Sequence, residues 1–259
     1  MKIPAITGSI RRRILLNYRV APEVVQAILP ANFSPKLVKG HAIAGICLIR
    51  LEEIRPKGMP AAIGFSSENS AHRIAVEWED ATNESREGVF VPRRDTDSRF
   101  NAVVGGRAFP GVHHHSRFTV HDLDGRISLK VEADDLEKPL VELELEEEDG
   151  LPDCSVFESL EQSSQFFESG CVGYSPSADC KHLEGLLLEV KDWRVEPLKV
   201  HSASSAYFND RSVFPPGSIE LDHALLMRDI PHVWRSEPNL MLKTRPRGNG
   251  SGCPFGRGG

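Results

Sequence analysis

Long apolar runs are missing from this 259-residue chain. The longest, residues 42–49, falls far short of the roughly 20 residues that a membrane-spanning helix needs. The opening MKIPAITGSIRRR has an apolar part too short and too interrupted for a signal peptide. These absences set the expectation of a cytoplasmic protein with no membrane partner. An excess of positive charge is missing too. Lys and Arg number 31 against 37 Asp and Glu, a net charge of -6, so the broad basic footprint of a nucleic-acid binder is absent. The five cysteines (Cys47, Cys154, Cys171, Cys180 and Cys253) are odd in number and form no Cys-x-x-Cys pair. That argues against a disulfide scaffold and structural zinc, and fits a reducing compartment. The chain also lacks Gly-x-Gly-x-x-Gly, the phosphate loop ending in Gly-Lys-Ser/Thr, and the Gly-x-Ser-x-Gly elbow. The usual sequence warrants for dinucleotide, phosphate-loop and serine-hydrolase chemistry are therefore gone.

What is present is ordinary globular material: 40% hydrophobic and 26% charged residues, which excludes wholesale disorder. No repeat or linker divides the chain, so a single domain over residues 1–244 is expected. Residues 245–259, RPRGNGSGCPFGRGG, read as a disordered Gly/Arg-rich tail.

Strand signals dominate. Residues 14–20 form the first, followed by a short helix with Pro22 in its first turn and Pro30 beyond its end. The apolar run over 41–54 reads as a buried strand. Residues 72–80 alternate, with Ile74, Val76 and Trp78 on one face and Arg73, Glu77 and Glu79 on the other. A short strand at 87–93 precedes a helix expected over 96–104. Asp124-Gly125 marks a type I′ hairpin turn inside 117–131. Leu143 and Leu145 alternate with Glu142, Glu144 and Glu146, a strand with a solvated acidic face and not a metal site. The best helix signal runs over 155–169, opening on Ser155/Glu158 and stopping at Gly170. Strands follow at 184–190, 193–202 and 218–227. The expected class is mainly β with few helices, built on an antiparallel sheet.

The chemistry-bearing cluster is His113-His114-His115. On a strand His113 and His115 share one face. No local carboxylate or cysteine stands at ligand spacing, so a polar pocket lining or a half-exposed strand is favoured over a metal, and no metal or cofactor is expected. Arg107 follows two glycines and suits a bidentate carboxylate clamp, although a surface arginine is the plainer reading. Glu68 lies in a polar stretch read as a turn, and Arg11 in the basic run of residues 11–13. A bend at Gly105-Gly106 and Pro110-Gly111 is expected to bring Arg107 beside the histidine face, where a cation favours the neutral imidazole.

Several blocks together resemble a known family. LNYRVAPEVVQAILP (residues 16–30), Gly88-Val-Phe-Val, Gly106-Arg107 and the stretch over 219–234 resemble the acetoacetate decarboxylase-like superfamily. Gly170-Cys-Val-Gly-Tyr-Ser-Pro176 and Trp193-Arg-Val-Glu-Pro197 are similar to its uncharacterised branch, domain of unknown function 2071. The resemblance implies a closed or nearly closed antiparallel β-barrel with covering helices and an internal ligand cavity. It also implies a test of chemistry, because the decarboxylases form a Schiff base through a lysine pair soon after Gly-Arg. Here those positions fall on Gly111-Val112 or, without a gap, on His114-His115. No lysine occurs between Lys57 and Lys130, and imidazole cannot form the imine. Arg11 and Glu68 fall near the family's substrate-site arginine and glutamate. The expectation is thus a binder of a small carbonyl or carboxylate compound, its cavity lined by Arg11, Glu68, Arg107, His113 and His115. One alternative is a lyase, hydratase or isomerase of the same fold using His/Glu acid–base chemistry; another is a non-catalytic partner protein. A homo-oligomer is left open.

Overall fold

The structure, a computed structural model, describes residues 5–99 and 110–243. Strands make up most of it. In chain order they are β1 (Ile6–Val20), β2 (Ser34–Pro35), β3 (Leu37–Val38), β4 (His41–Pro56), β5 (Phe65–Glu79), β6 (Ser85–Thr96), β7 (His113–Leu123), β8 (Arg126–Ala133), β9 (Val141–Glu147), β10 (Val172–Pro176), β11 (His182–Val190), β12 (Glu196–Ser205) and β13 (Ile219–Met241). Helix α1 (Pro22–Ile28) follows β1, and α2 (Leu160–Ser169) precedes β10.

All strands belong to one sheet, and neighbouring pairs are antiparallel except β6–β7 and β6–β10, which are parallel. The all-antiparallel sheet expected from the sequence is therefore a mixed one. Pairing also returns on itself: β1, β4, β5, β6, β10, β11 and β13 are each bonded to the next, and β13 to β1. Gly88 permits one of the parallel contacts, since a Cβ there would stand 2.4 Å from the Val172 carbonyl oxygen. That approach is open only to glycine.

β1 and β4 are the spine. Alternate residues serve two cores, because both faces of these strands are covered. Ile14, Leu16, Ala44, Ile46 and Leu48 enter one core; Ile10, Leu15, Ile43, Cys47 and Ile49 enter the other. This is why residues 42–49 carry an unbroken apolar run where a half-exposed strand would alternate.

The hairpin forms as expected, with positive φ at Asp124 (51°) and Gly125 (76°), as a type I′ turn requires. The acidic face of β9 is exposed at Glu142 and Glu144 while Leu143 and Leu145 are buried. Other expectations move. α2 starts at Leu160, capped by Ser159, whose Oγ accepts from the Gln162 amide at 3.1 Å. Ser155 instead donates to Asp222 at 2.7 Å. Glu68 lies within β5 and not in a turn. Thr96 ends β6, and residues 100–104 of the helix expected there lie outside the described residues. So do Arg107 and the tail at 245–259.

Leu16 is fully buried in the first core. Leu16→Ala should lower unfolding free energy by about 2–5 kcal/mol, read as a lower denaturant midpoint with the slope unchanged.

Candidate functional site

The second core is not filled. A cavity of about 140 Å³ opens within it, walled by residues of the seven strands whose pairing returns on itself, with Pro110 just before β7, His113 at its start, and Gly170 and Cys171 after α2. That is room on the order of ten waters. Much of the wall is apolar: Ile49, Leu51, Phe65, Val91, Leu188 and Trp234. Three arginines break it.

Arg13 comes from β1. Its Nε donates to the Cys47 sulfur at 3.3 Å, its Nη1 lies 3.7 Å from the Met227 sulfur, and its guanidinium stacks 5.4 Å from the Trp193 ring centre. Arg73 comes from β5 and is only 4% exposed. Its Nη2 donates to Asn17 Oδ1 at 2.5 Å, its guanidinium lies 4.7 Å from the Phe167 ring centre, and its Nε has no acceptor among the described residues. Arg94 comes from β6 and donates through Nε to Ser175 Oγ at 2.9 Å. Burial pushes both the Arg73 and Arg94 guanidiniums down to about 10, against the attraction of the Cys47 sulfur. Among the described residues none of the three forms an ion pair with a carboxylate. The other buried or half-buried arginines do: Arg12 with Glu68, Arg93 with Asp95 and Asp135, Arg19 with Glu220, Arg50 with Glu52, Arg55 with Glu53 and Arg228 with Asp122.

Asp95 also reaches the cavity wall, but it is held by Arg93 at 2.8 Å and by Ser116 at 3.1 Å. Arg73 has a longer support. Asn17 Nδ2 lies 3.1 Å from His223 Nε2, which is also 2.8 Å from Ser163 Oγ on α2. His223 Nδ1 sits 2.6 Å from Asp222, and Asp222 also accepts from the Val156 amide at 2.9 Å. This buried chain of hydrogen bonds fixes the Asn17 carbonyl toward Arg73.

Of the five residues singled out in the sequence, His113 lines the cavity. Its Nε2 bonds the Pro110 carbonyl at 3.2 Å. Burial, with Arg94 acting in the same direction, pushes its pKa down to about 3, so the ring is neutral at pH 7. Among the described residues Arg94 is the cation beside His113; Arg107, the one expected there, lies outside them. His115, two residues on, is half-exposed and bonds Asp134 at 2.8 Å. Glu68 is buried on the opposite face of β5 from the cavity-lining Ser67, Asn69 and Ala71, and takes Arg12 Nη2 at 2.8 Å. Arg11 is exposed and pairs with Asp229; β1 shifts register between Ile10 and Arg12, which sets Arg11 apart from the alternation that carries Arg13 inward. Arg107 lies outside the described residues.

Arg13, Arg73, Arg94 and Cys47 were not singled out in the sequence. Arg73 sits in a correctly alternating strand, on the face it shares with Glu77 and Glu79, and there it lines the cavity. Cys47 is hidden inside the apolar run of β4.

A sequence profile of DUF2071, described as an uncharacterized conserved protein, matches residues 7–221. The chain belongs to the DUF2071 family. It shares the acetoacetate decarboxylase-like fold. Acetoacetate decarboxylase from Legionella pneumophila subsp. pneumophila str. Philadelphia 1 aligns with a TM-score of 0.58 at 12% identity, covering 92% of this chain and 88% of that one. An acetoacetate decarboxylase-like enzyme from Sphingomonas wittichii RW1 gives 0.58 at 13%, covering 93% and 94%. The enduracididine biosynthesis enzyme MppR, complexed with pyruvate, gives 0.57 at 12%, covering 94% and 92%. No curated protein matches this DUF2071 chain. Among its described residues no helix is long and apolar enough to cross a membrane, and no cluster of His, Cys, Asp and Glu is placed to hold a metal.

Buried histidines give the protein a defined pH response. His72 and His113 have pKa values pushed down to about 3 by burial, and His232 to about 4. In the unfolded chain each takes a proton near pH 6.5. The unfolded state therefore binds more protons below that pH, and stability falls as pH drops from 6.5 toward 5, by roughly 1 kcal/mol per pH unit for each fully contributing ring. Burial raises Glu68 and Asp95, which act in the opposite direction where they take up protons. Denaturant unfolding at pH 6.5 and 5.2 should show the loss, and His232→Phe should flatten it by one histidine's share.

Proposed function

We propose that this protein binds a small carbonyl or carboxylate compound in an internal barrel cavity, without a Schiff-base lysine. The observation that carries the reading is the set of buried Arg73 and half-buried Arg13 and Arg94 around one cavity, with no carboxylate ion pair among the described residues. Buried charges are ordinarily paired, and a ligand carboxylate supplies the missing partner through the forked donors of guanidinium. The return of pairing from β13 to β1 supports a closed barrel around that space. Of the residues taken from the sequence, His113 and Arg107 stay in the proposed contact set; Arg11, Glu68 and His115 stand apart from the cavity wall. Pyruvate bound to the similarly folded MppR is a small 2-oxo acid of the class proposed here.

Catalysis through a lysine imine is not part of this reading. None of the described lysines lines the cavity. The acid–base alternative, a lyase, hydratase or isomerase, is favoured only by the neutral ring of His113, since Glu68 faces away from the cavity.

Titration calorimetry with pyruvate and acetoacetate tests the reading. Arg73→Met and Arg94→Met should each weaken binding by about 2–5 kcal/mol, the range for removing one partner of a buried charge pair. Heats that no small carboxylate evokes from the wild-type protein would sink it. Borohydride treatment in the presence of acetoacetate should leave every lysine unmodified by mass spectrometry, and a stoichiometric lysine adduct would restore the imine mechanism.

A further inference from the structure

The cavity holds a nucleophile that the binding reading does not use. Cys47 lies on β4 between Leu15 of β1 and Ala71 of β5 and lines the cavity wall. Its sulfur accepts the Arg13 Nε–H at 3.3 Å, so a lone pair is already engaged by a cation. Arg73 and Arg94 share the cavity. A second observation points to a ligand at this place. Arg73 is 4% exposed, lines the same wall and leaves Nε without an acceptor among the described residues.

The other free thiols are differently placed. Cys171 also reaches the cavity, but its Sγ donates to the Glu168 carbonyl at 2.7 Å, and burial pushes its pKa up. Cys154 is exposed and distant from the wall.

We propose that Cys47 is a covalent capture site for the aldehyde or ketone carbon of a small 2-oxo acid. This deepens the anion-binding reading and rests on it. The ligand carboxylate takes the unsatisfied donor of Arg73, which sets its carbonyl carbon toward the Cys47 sulfur. The sulfur lone pair forms the S–C bond as the C=O π pair moves to oxygen. The proton lost by the thiol is returned, through solvent, to that oxygen. The product is a hemithioacetal or hemithioketal; nothing is oxidised or reduced and no group leaves. Sulfur thereby performs reversibly the carbonyl addition for which a cavity lysine is missing.

Two measurements on the native full chain test this. Iodoacetate and iodoacetamide differ in charge, so mass-mapped alkylation should show the anion favoured at Cys47 by roughly tenfold relative to its preference at exposed Cys154. 13C-labelled glyoxylate should give a protein-bound hemithioacetal resonance that persists in Cys171→Ser and vanishes in Cys47→Ser. A resonance that survives in Cys47→Ser, or that is lost in Cys171→Ser, overturns the assignment. Heats of pyruvate binding in wild type and Cys47→Ser separate the two levels. Binding retained in both with no resonance in wild type defeats capture by Cys47 alone. No binding in wild type defeats the anion reading beneath it.

Discussion

A guanidinium without a counter-charge is costly to bury, by several kcal/mol even after relaxation. This fold sets buried Arg73 and half-buried Arg13 and Arg94 around one space, and much of the surrounding architecture lowers that cost without neutralising the charge. Asn17 and Ser175 offer oxygen acceptors; Cys47 and Met227 offer sulfur. Phe167 and Trp193 offer ring faces, which attract a desolvated cation strongly. Each of these partners is neutral or polarizable, so the positive potential in the cavity remains available to an anion. The pairs Arg12–Glu68 and Arg93–Asp95 show the opposite choice one step away. There the arginines meet carboxylates, and their charge is spent within the protein.

The sheet and α2 are what hold this arrangement. Arg13 and Arg73 stand on strands that flank β4, the strand that carries Cys47. Fixed register on both sides of β4 sets which residues point inward, since a slip of one residue would exchange Arg13 for Arg12. α2 then closes the far side. Its Phe167 stacks on Arg73, and its Ser163 joins the polar chain from His223 to Asn17. A helix whose N-terminus is anchored by Ser159, and whose preceding loop is tied to Asp222, has little freedom to withdraw that ring.

Legibility from sequence followed the number of environments each strand meets. The hairpin at Asp124-Gly125 and the acidic face of β9 see one wet face and one dry one, so alternation gave them away. β5 was read only from residue 72. Its earlier part, FSSENSA, is polar because one face lines a polar stretch of the cavity and the other carries Glu68 to Arg12. β10 carries Gly173 and Pro176, both strand breakers by composition, and is held by a parallel partner distant in sequence. The site was half legible for the same reason. His113 was found because three histidines in a row are rare chemistry, whereas Arg73 had the outward appearance of a surface residue in an amphipathic strand.

Among the described residues the cavity wall carries arginine and no lysine, and both bear on the same chemistry. An amine must shed its proton to attack a carbonyl, and a buried lysine near other cations does so readily. Guanidinium stays protonated even when burial pushes Arg73 and Arg94 down to about 10. An arginine-walled cavity therefore keeps its charge at pH 7 and orients an anion, but supplies no electron pair. Among the described wall residues, the pairs able to form a bond are on the sulfurs of Cys47 and Cys171, the neutral imidazole of His113 and the hydroxyls of Ser67 and Ser70, with Asp95 already committed to Arg93 and Ser116. Sulfur is the softer and stronger nucleophile of these, and that of Cys47 sits where Arg13 can hold it. Any carbonyl chemistry in this cavity has to start from that inventory.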